Sequence, residues 1–131
     1  MKNIIIEINL IFLIISLISC NKADIESNSL VGKWSVINDS TFTPIANIGA
    51  SNYIGTSSDY YNFTANGSVY ISLKTLLDTC TYSMIANNQI NIVYSTGSYD
   101  SYYITNLTPN TVTLTLVTPP LGPKEIINFK K

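Results

Sequence analysis

From residue 30 to its end the chain reads as an all-β domain, an eight-stranded antiparallel up-and-down β-barrel that follows a cleaved leader. Three observations predict this. Apolar and polar residues alternate with period two through most of that length. Turn signals such as Asn66-Gly67, Asn87-Asn88 and Pro109-Asn110 recur at short spacing between the alternating runs. No stretch of useful length carries the 3.6-residue period of a helix. Evenly spaced strands joined by hairpin turns form a meander, and closing the meander removes the two edges an open sheet would leave unpaired.

The elements follow in order. Residues 30–36 form the first strand, with Trp34 and Val36 on one face. A connection over residues 39–59 is longer than most. It is apolar at Phe42, Ile45, Ile48, Tyr53 and Ile54, which predicts a lid or plug packed across the barrel mouth. Residues 60–64 and 68–74 flank Asn66-Gly67, the strongest short hairpin signal, with both turn residues expected at positive φ. Val69, Ile71 and Leu73 then face one way. Residues 80–84 place Cys80, Tyr82 and Met84 inward, and residues 89–94 return with Ile90, Ile92 and Tyr94 inward. Strands over 101–105, 111–117 and 124–130 complete the eight. A barrel of that size is either filled by its side chains or holds one small ligand.

Composition narrows the chemistry. The chain has 131 residues, of which 11% are charged, with a net charge of −1. That is one domain by size, with no basic face for nucleic acid. Histidine is absent, so there is no Ser-His-Asp or Cys-His arrangement and no histidine-zinc site. We expect neither an enzyme nor a metal or cofactor site. Asp39, Asp59, Asp78 and Asp100 fall singly near strand ends, where they are expected to serve turns and solubility. Only two cysteines occur, Cys20 and Cys80; Cys80 is expected to be buried filler, with a reactive thiol as the alternative.

The N-terminus is read separately. Lys2 precedes the apolar run of residues 10–18, which is too short to span a bilayer core of ~30 Å. Its end, Leu17-Ile18-Ser19-Cys20, resembles the bacterial lipoprotein lipobox: a thiol to take the acyl chains, preceded by a small residue that lets the peptidase close on the bond. Residues 1–19 are therefore expected to be a lipoprotein signal peptide. Residues 20–29 are expected to be acylated Cys20 and a flexible tether reaching about 15–18 Å, leaving residues 30–131 as the barrel. Acylation would hold the protein in a bacterial cell envelope, expected at the outer membrane, and would leave Cys80 without an intramolecular partner.

Leu30, Gly32 and Trp34, then Tyr61, Phe63 and Gly67, then Ile104-Thr105-Asn106-Leu107-Thr108 running into Val112 and Leu114, form a pattern that resembles the lipocalins. More narrowly, it is similar to the small lipocalin-like lipoproteins of Gram-negative envelopes. The resemblance implies a lipocalin-like barrel that takes a small hydrophobic ligand. It also implies that a basic side chain of the last strand covers the tryptophan, and with no arginine in the chain Lys130 is the nearest candidate.

The candidate ligand-binding residues are Trp34, Tyr61, Phe63, Tyr82, Met84, Tyr94 and Tyr102, since an aromatic lining with polar tips suits a small hydrophobic molecule. The same side chains would equally fill a barrel. Two functions follow: a lipid-anchored protein that binds a small hydrophobic ligand, or a filled barrel whose surface meets a protein or glycan partner or inhibits an enzyme. The sequence names no protein partner.

Overall fold

A computed structural model describes residues 30–42, 50–86, 88–117, 122 and 124–131. The leader, Cys20, the tether, Ile45 and Ile48 lie outside the described residues. Among the described residues nine strands form one antiparallel sheet: β1 (Gly32–Phe42), β2 (Ser51–Ile54), β3 (Tyr60–Phe63), β4 (Ser68–Leu73), β5 (Leu76–Ala86), β6 (Gln89–Val93), β7 (Tyr99–Thr105), β8 (Thr111–Leu116) and β9 (Lys124–Lys130). β1 pairs β9 as well as β3, so the sheet closes on itself. β2 and β3 lie on the same side of β1, joined through residues 55–59, and together fill one barrel position. The result is an eight-stranded closed barrel.

The extra strand revises the reading of residues 39–59. β1 continues to Phe42, and Ser51–Ile54 pairs back onto residues 38–41. The described part of this segment is thus a hairpin extension of the barrel wall, with Phe42 and Ile54 pointing into solvent and Tyr53 packed against the core. At Gly55 the returning chain passes so close to β1 that a Cβ there would sit 2.1 Å from the Val36 carbonyl oxygen. Only glycine permits that approach.

A bulge in β1 sets what the upper barrel holds. Val36 pairs Phe129 but Asn38 pairs Asn128, leaving Ile37 as an extra residue turned outward. A bulge shifts the alternation by one. Below it Trp34 and Val36 face inward; above it Asp39 takes the inward phase, opposite Ile127. The β3–β4 turn also differs from expectation. Gly67 alone takes positive φ, at 83°, and its N–H donates to the Thr64 carbonyl. This is a longer loop ending in a left-handed glycine, a geometry the chain repeats at Gly97 with Tyr94.

At the lower end Trp34 is wholly buried, and its Nε1–H donates to the Leu30 carbonyl at 2.7 Å. The cation over its ring is Lys131, 4.5 Å from the ring centre, and not Lys130. The reason is phase. Phe129 points inward, so Lys130 points out beside Ser35, and the next residue swings back under the barrel.

Candidate functional site

The expected ligand lining is packed against itself. Trp34, Phe63, Tyr102 and Tyr61 are only 0%, 1%, 1% and 3% exposed. A void able to hold an acyl chain would leave the side chains around it accessible from within. Tyr61 instead meets Phe129 edge-on at 5.0 Å between ring centres, and Phe63 meets Tyr82 the same way at 5.1 Å. Tyr82 is anchored by its hydroxyl, which donates to the Thr64 carbonyl at 2.8 Å. Met84 and Tyr94 are half-buried at the margins of the same core. The seven candidates are thus divided. Trp34, Phe63 and Tyr82 fill the lower barrel, with Met84 at its margin. Tyr61 lies between the two halves, and Tyr94 and Tyr102 belong to the mouth.

The mouth holds carboxylates that the sequence assigned to turns and solubility. Asp59 is a buried hub. One of its oxygens accepts from the Tyr53 hydroxyl at 2.7 Å, the Thr56 N–H at 2.7 Å and the Thr56 hydroxyl at 2.6 Å, and the other accepts from the Lys74 N–H at 2.7 Å. Burial pushes this carboxyl up, but the Thr56, Tyr53 and Lys74 donors outweigh burial and hold it well below the usual carboxylate range. The hub ties residues 53–59 to the β4–β5 turn.

Asp39 is also buried, and the Lys74 ammonium lies 3.2 Å from its Oδ2 while resting 4.6 Å from the centre of the Tyr53 ring. Its Oδ1 is buried without a hydrogen-bond partner. Glu125, on the inner face of β9, accepts from the Tyr102 hydroxyl at 2.9 Å. Burial raises the Glu125 carboxyl above its ordinary range, and the nearby Asp39 and Asp100 charges add to this, against the Tyr102 hydrogen bond and Lys74. Tyr61, Tyr94 and Tyr102 are all raised by burial first, so each stays a neutral phenol. Cys80 is a free, buried thiol that burial pushes up to about 12, a direction opposite to that of a reactive cysteine. Among the described residues no group of three or more metal-ligating side chains comes together.

Two clefts border the outer wall among the described residues. A cleft of about 460 Å³ near the mouth rim is bordered by Tyr60, Tyr70, Leu77, Asp78, Thr79 and Ser95, with the buried Ile71 at its floor. Pairing explains most of the group: Tyr60 opposes Ser72, Tyr70 opposes Thr79, and Ser72 opposes Leu77, so Tyr60, Tyr70, Leu77 and Thr79 are outward neighbours across β3, β4 and β5, with Asp78 in the inward phase at the rim and Ser95 just beyond β6. A second cleft of about 520 Å³ lies where residues 54–57 cross β1 near Ile37 and Lys130. Sequence reasoning missed both, because an outward residue shows its neighbours only once the strand register is known. No protein-family model matches the chain, and no curated protein matches it.

Proposed function

We propose that this chain is a lipid-anchored, lipocalin-like lipoprotein of the bacterial envelope that works as a filled barrel, meeting its partner through the outer surface and not through an internal cup. The observation that supports this over the binding of a small hydrophobic ligand is the burial of the interior aromatics. An acyl chain could enter only by displacing rings that already pack edge-on against one another. Acylation at Cys20 would supply the membrane contact, and the short tether would keep the barrel within about 15–18 Å of the bilayer.

Two measurements test the reading. Titration of the full chain with a fluorescent fatty acid, read through the single tryptophan Trp34, should be flat, and native mass spectrometry of the purified protein should find it empty. A saturable response or a co-purified lipid would restore the ligand-binding function. Cys20→Ala should move the protein from the membrane fraction to the soluble one; retention in the membrane would remove the anchor from the proposal.

A further inference from the structure

The outward face of β4 to β8 is unusual for a surface in water. Its positions carry serine, threonine, asparagine, glutamine, tyrosine and a few aliphatics, and no charged side chain. The two aspartates of these strands, Asp78 and Asp100, fall in the inward phase opposite Ile71 and Ile92, at the mouth rim. At one margin of this face lies the 460 Å³ cleft, within the ~300–1,000 Å³ span of small-molecule sites.

We propose that this cleft binds a neutral sugar, as a short segment of an uncharged glycan. The inference rests on the reading above, that the barrel recognises its partner from outside, and names the class of partner. Four features carry it. Tyr60 and Tyr70 are diagonal neighbours on adjacent strands, a placement that brings two rings within reach of one ligand. Tyrosine offers an apolar face for the C–H side of a pyranose and a hydroxyl for its polar edge. Thr79 and Ser95 border the same space and carry hydroxyls, the groups that pair with sugar hydroxyls, while Asp78, in the inward phase at the rim, accepts the Thr79 and Ser95 N–H groups beneath them. Leu77, 79% exposed, adds an apolar wall.

Charge and backbone exclude the competing partners. Asp78 opposes an anionic ligand: the hydrogen bonds from Ser95 and Thr79 outweigh burial and hold its carboxyl below the usual carboxylate range. Lys33 rests its ammonium 3.8 Å from the centre of the Tyr60 ring, which opposes a cationic ligand on the other flank. A peptide adding as a strand needs an unpaired edge, yet β3, β4 and β5 are paired to one another through the cleft floor. What remains is a neutral molecule recognised by rings and hydroxyls.

The test uses the full chain in a sugar-free detergent, with saturation-transfer NMR and calorimetry against maltotriose, cellotriose, mannotriose and N-acetylchitotriose. Trigalacturonate, a chitosan trimer and a blocked uncharged peptide serve as controls. At least one neutral trisaccharide should bind. Tyr70→Ala should weaken it at least tenfold, the effect of losing about 1.4 kcal/mol, while Tyr99→Ala, on β7 away from the cleft, should leave it unchanged. Unaltered Trp34 emission would show that both variants fold. No binding by any of the four neutral sugars overturns the proposal, as does equal binding by Tyr70→Ala or binding of a control as tight as that of any neutral sugar. The outcome is separable from the reading it rests on: a flat sugar titration with an unresponsive Trp34 in fatty acid removes the glycan and keeps the filled barrel.

Discussion

The lower and upper halves of this barrel are built from one sheet, yet they hold together by opposite chemistry. Below the Ile37 bulge the interior is rings and aliphatics: Trp34, Phe63, Tyr82 and Phe129 with Val69, Val112 and Leu114. Above it the inward phase delivers Asp39, and with it come Asp59, Glu125 and the Lys74 ammonium. The lower half gains stability from area removed from water, with polar groups reduced to single anchored tips such as Trp34 Nε1 and the Tyr82 hydroxyl. The upper half buries charge, which is tolerated only where donors converge on it. One inserted residue in β1 separates these regimes. Stability should therefore fall most on truncation below the bulge, and depend on pH above it.

The largest effect is expected at Trp34. Trp34→Ala removes the biggest wholly buried side chain from a close-packed floor and strips Lys131 of its ring partner. Such truncations cost about 3–5 kcal/mol. Urea unfolding followed by circular dichroism should show a loss of that size. A loss under about 0.5 kcal/mol, the range of surface positions, would mean that the lower half is not where stability is concentrated.

Asp59→Asn comes next. The amide offers one acceptor oxygen where the carboxylate offers two, and its NH₂ would meet a donor, either the Lys74 N–H or those of Thr56 and Tyr53. A loss of about 2–3 kcal/mol at pH 7 is expected from an unmatched buried polar pair. The sign of the pH dependence follows from the lowered native carboxyl. Its stabilisation is present above the unfolded value of about 3.9 and is lost as pH falls through the native one. The gap between wild type and variant should be full at pH 7 and narrow progressively below about pH 4. A gap that does not narrow would show that shape, and not the carboxylate charge, holds the hub.

How far this was legible in the sequence differs between the halves. Alternation placed Trp34, Phe63, Tyr82 and Ile92 inward, because an inner apolar face specifies its own register and each strand of the lower barrel keeps it. The upper half depended on events that leave no periodic trace. A bulge is one residue wide, and without it Asn38, not Asp39, takes the inward place. The hub at Asp59 needed a strand within 39–59, and four residues such as Ser51–Ile54 are too few for alternation to declare. The Lys131 contact turned on a single residue of phase at the strand end. The outer cleft was invisible for a different reason: Tyr60 and Tyr70 are ten positions apart in sequence, and only the β3–β4 register makes them neighbours.

The smallest expected effect, and the sharpest contrast between the halves, is at Glu125. Asp59 has four donors, whereas Glu125 has one, the Tyr102 hydroxyl, and faces the like charges of Asp39 and Asp100. Its native carboxyl is raised, so the linkage runs opposite to that of Asp59. The folded state holds the proton more tightly than the unfolded chain does, and the stability this confers is complete below the unfolded value of about 4.3 and lost as pH rises through the native one. At neutral pH the ionised form therefore weighs against the fold. Glu125→Gln keeps an acceptor for Tyr102 and removes that charge, so it should raise the melting temperature at pH 7, by less than Asp59→Asn lowers it, and lose the advantage below about pH 4. Thermal unfolding at both pH values decides. A variant less stable than wild type at pH 7 would show that the Glu125 charge supports the mouth, through Lys74, and that the upper half tolerates its carboxylates as a network and not one by one.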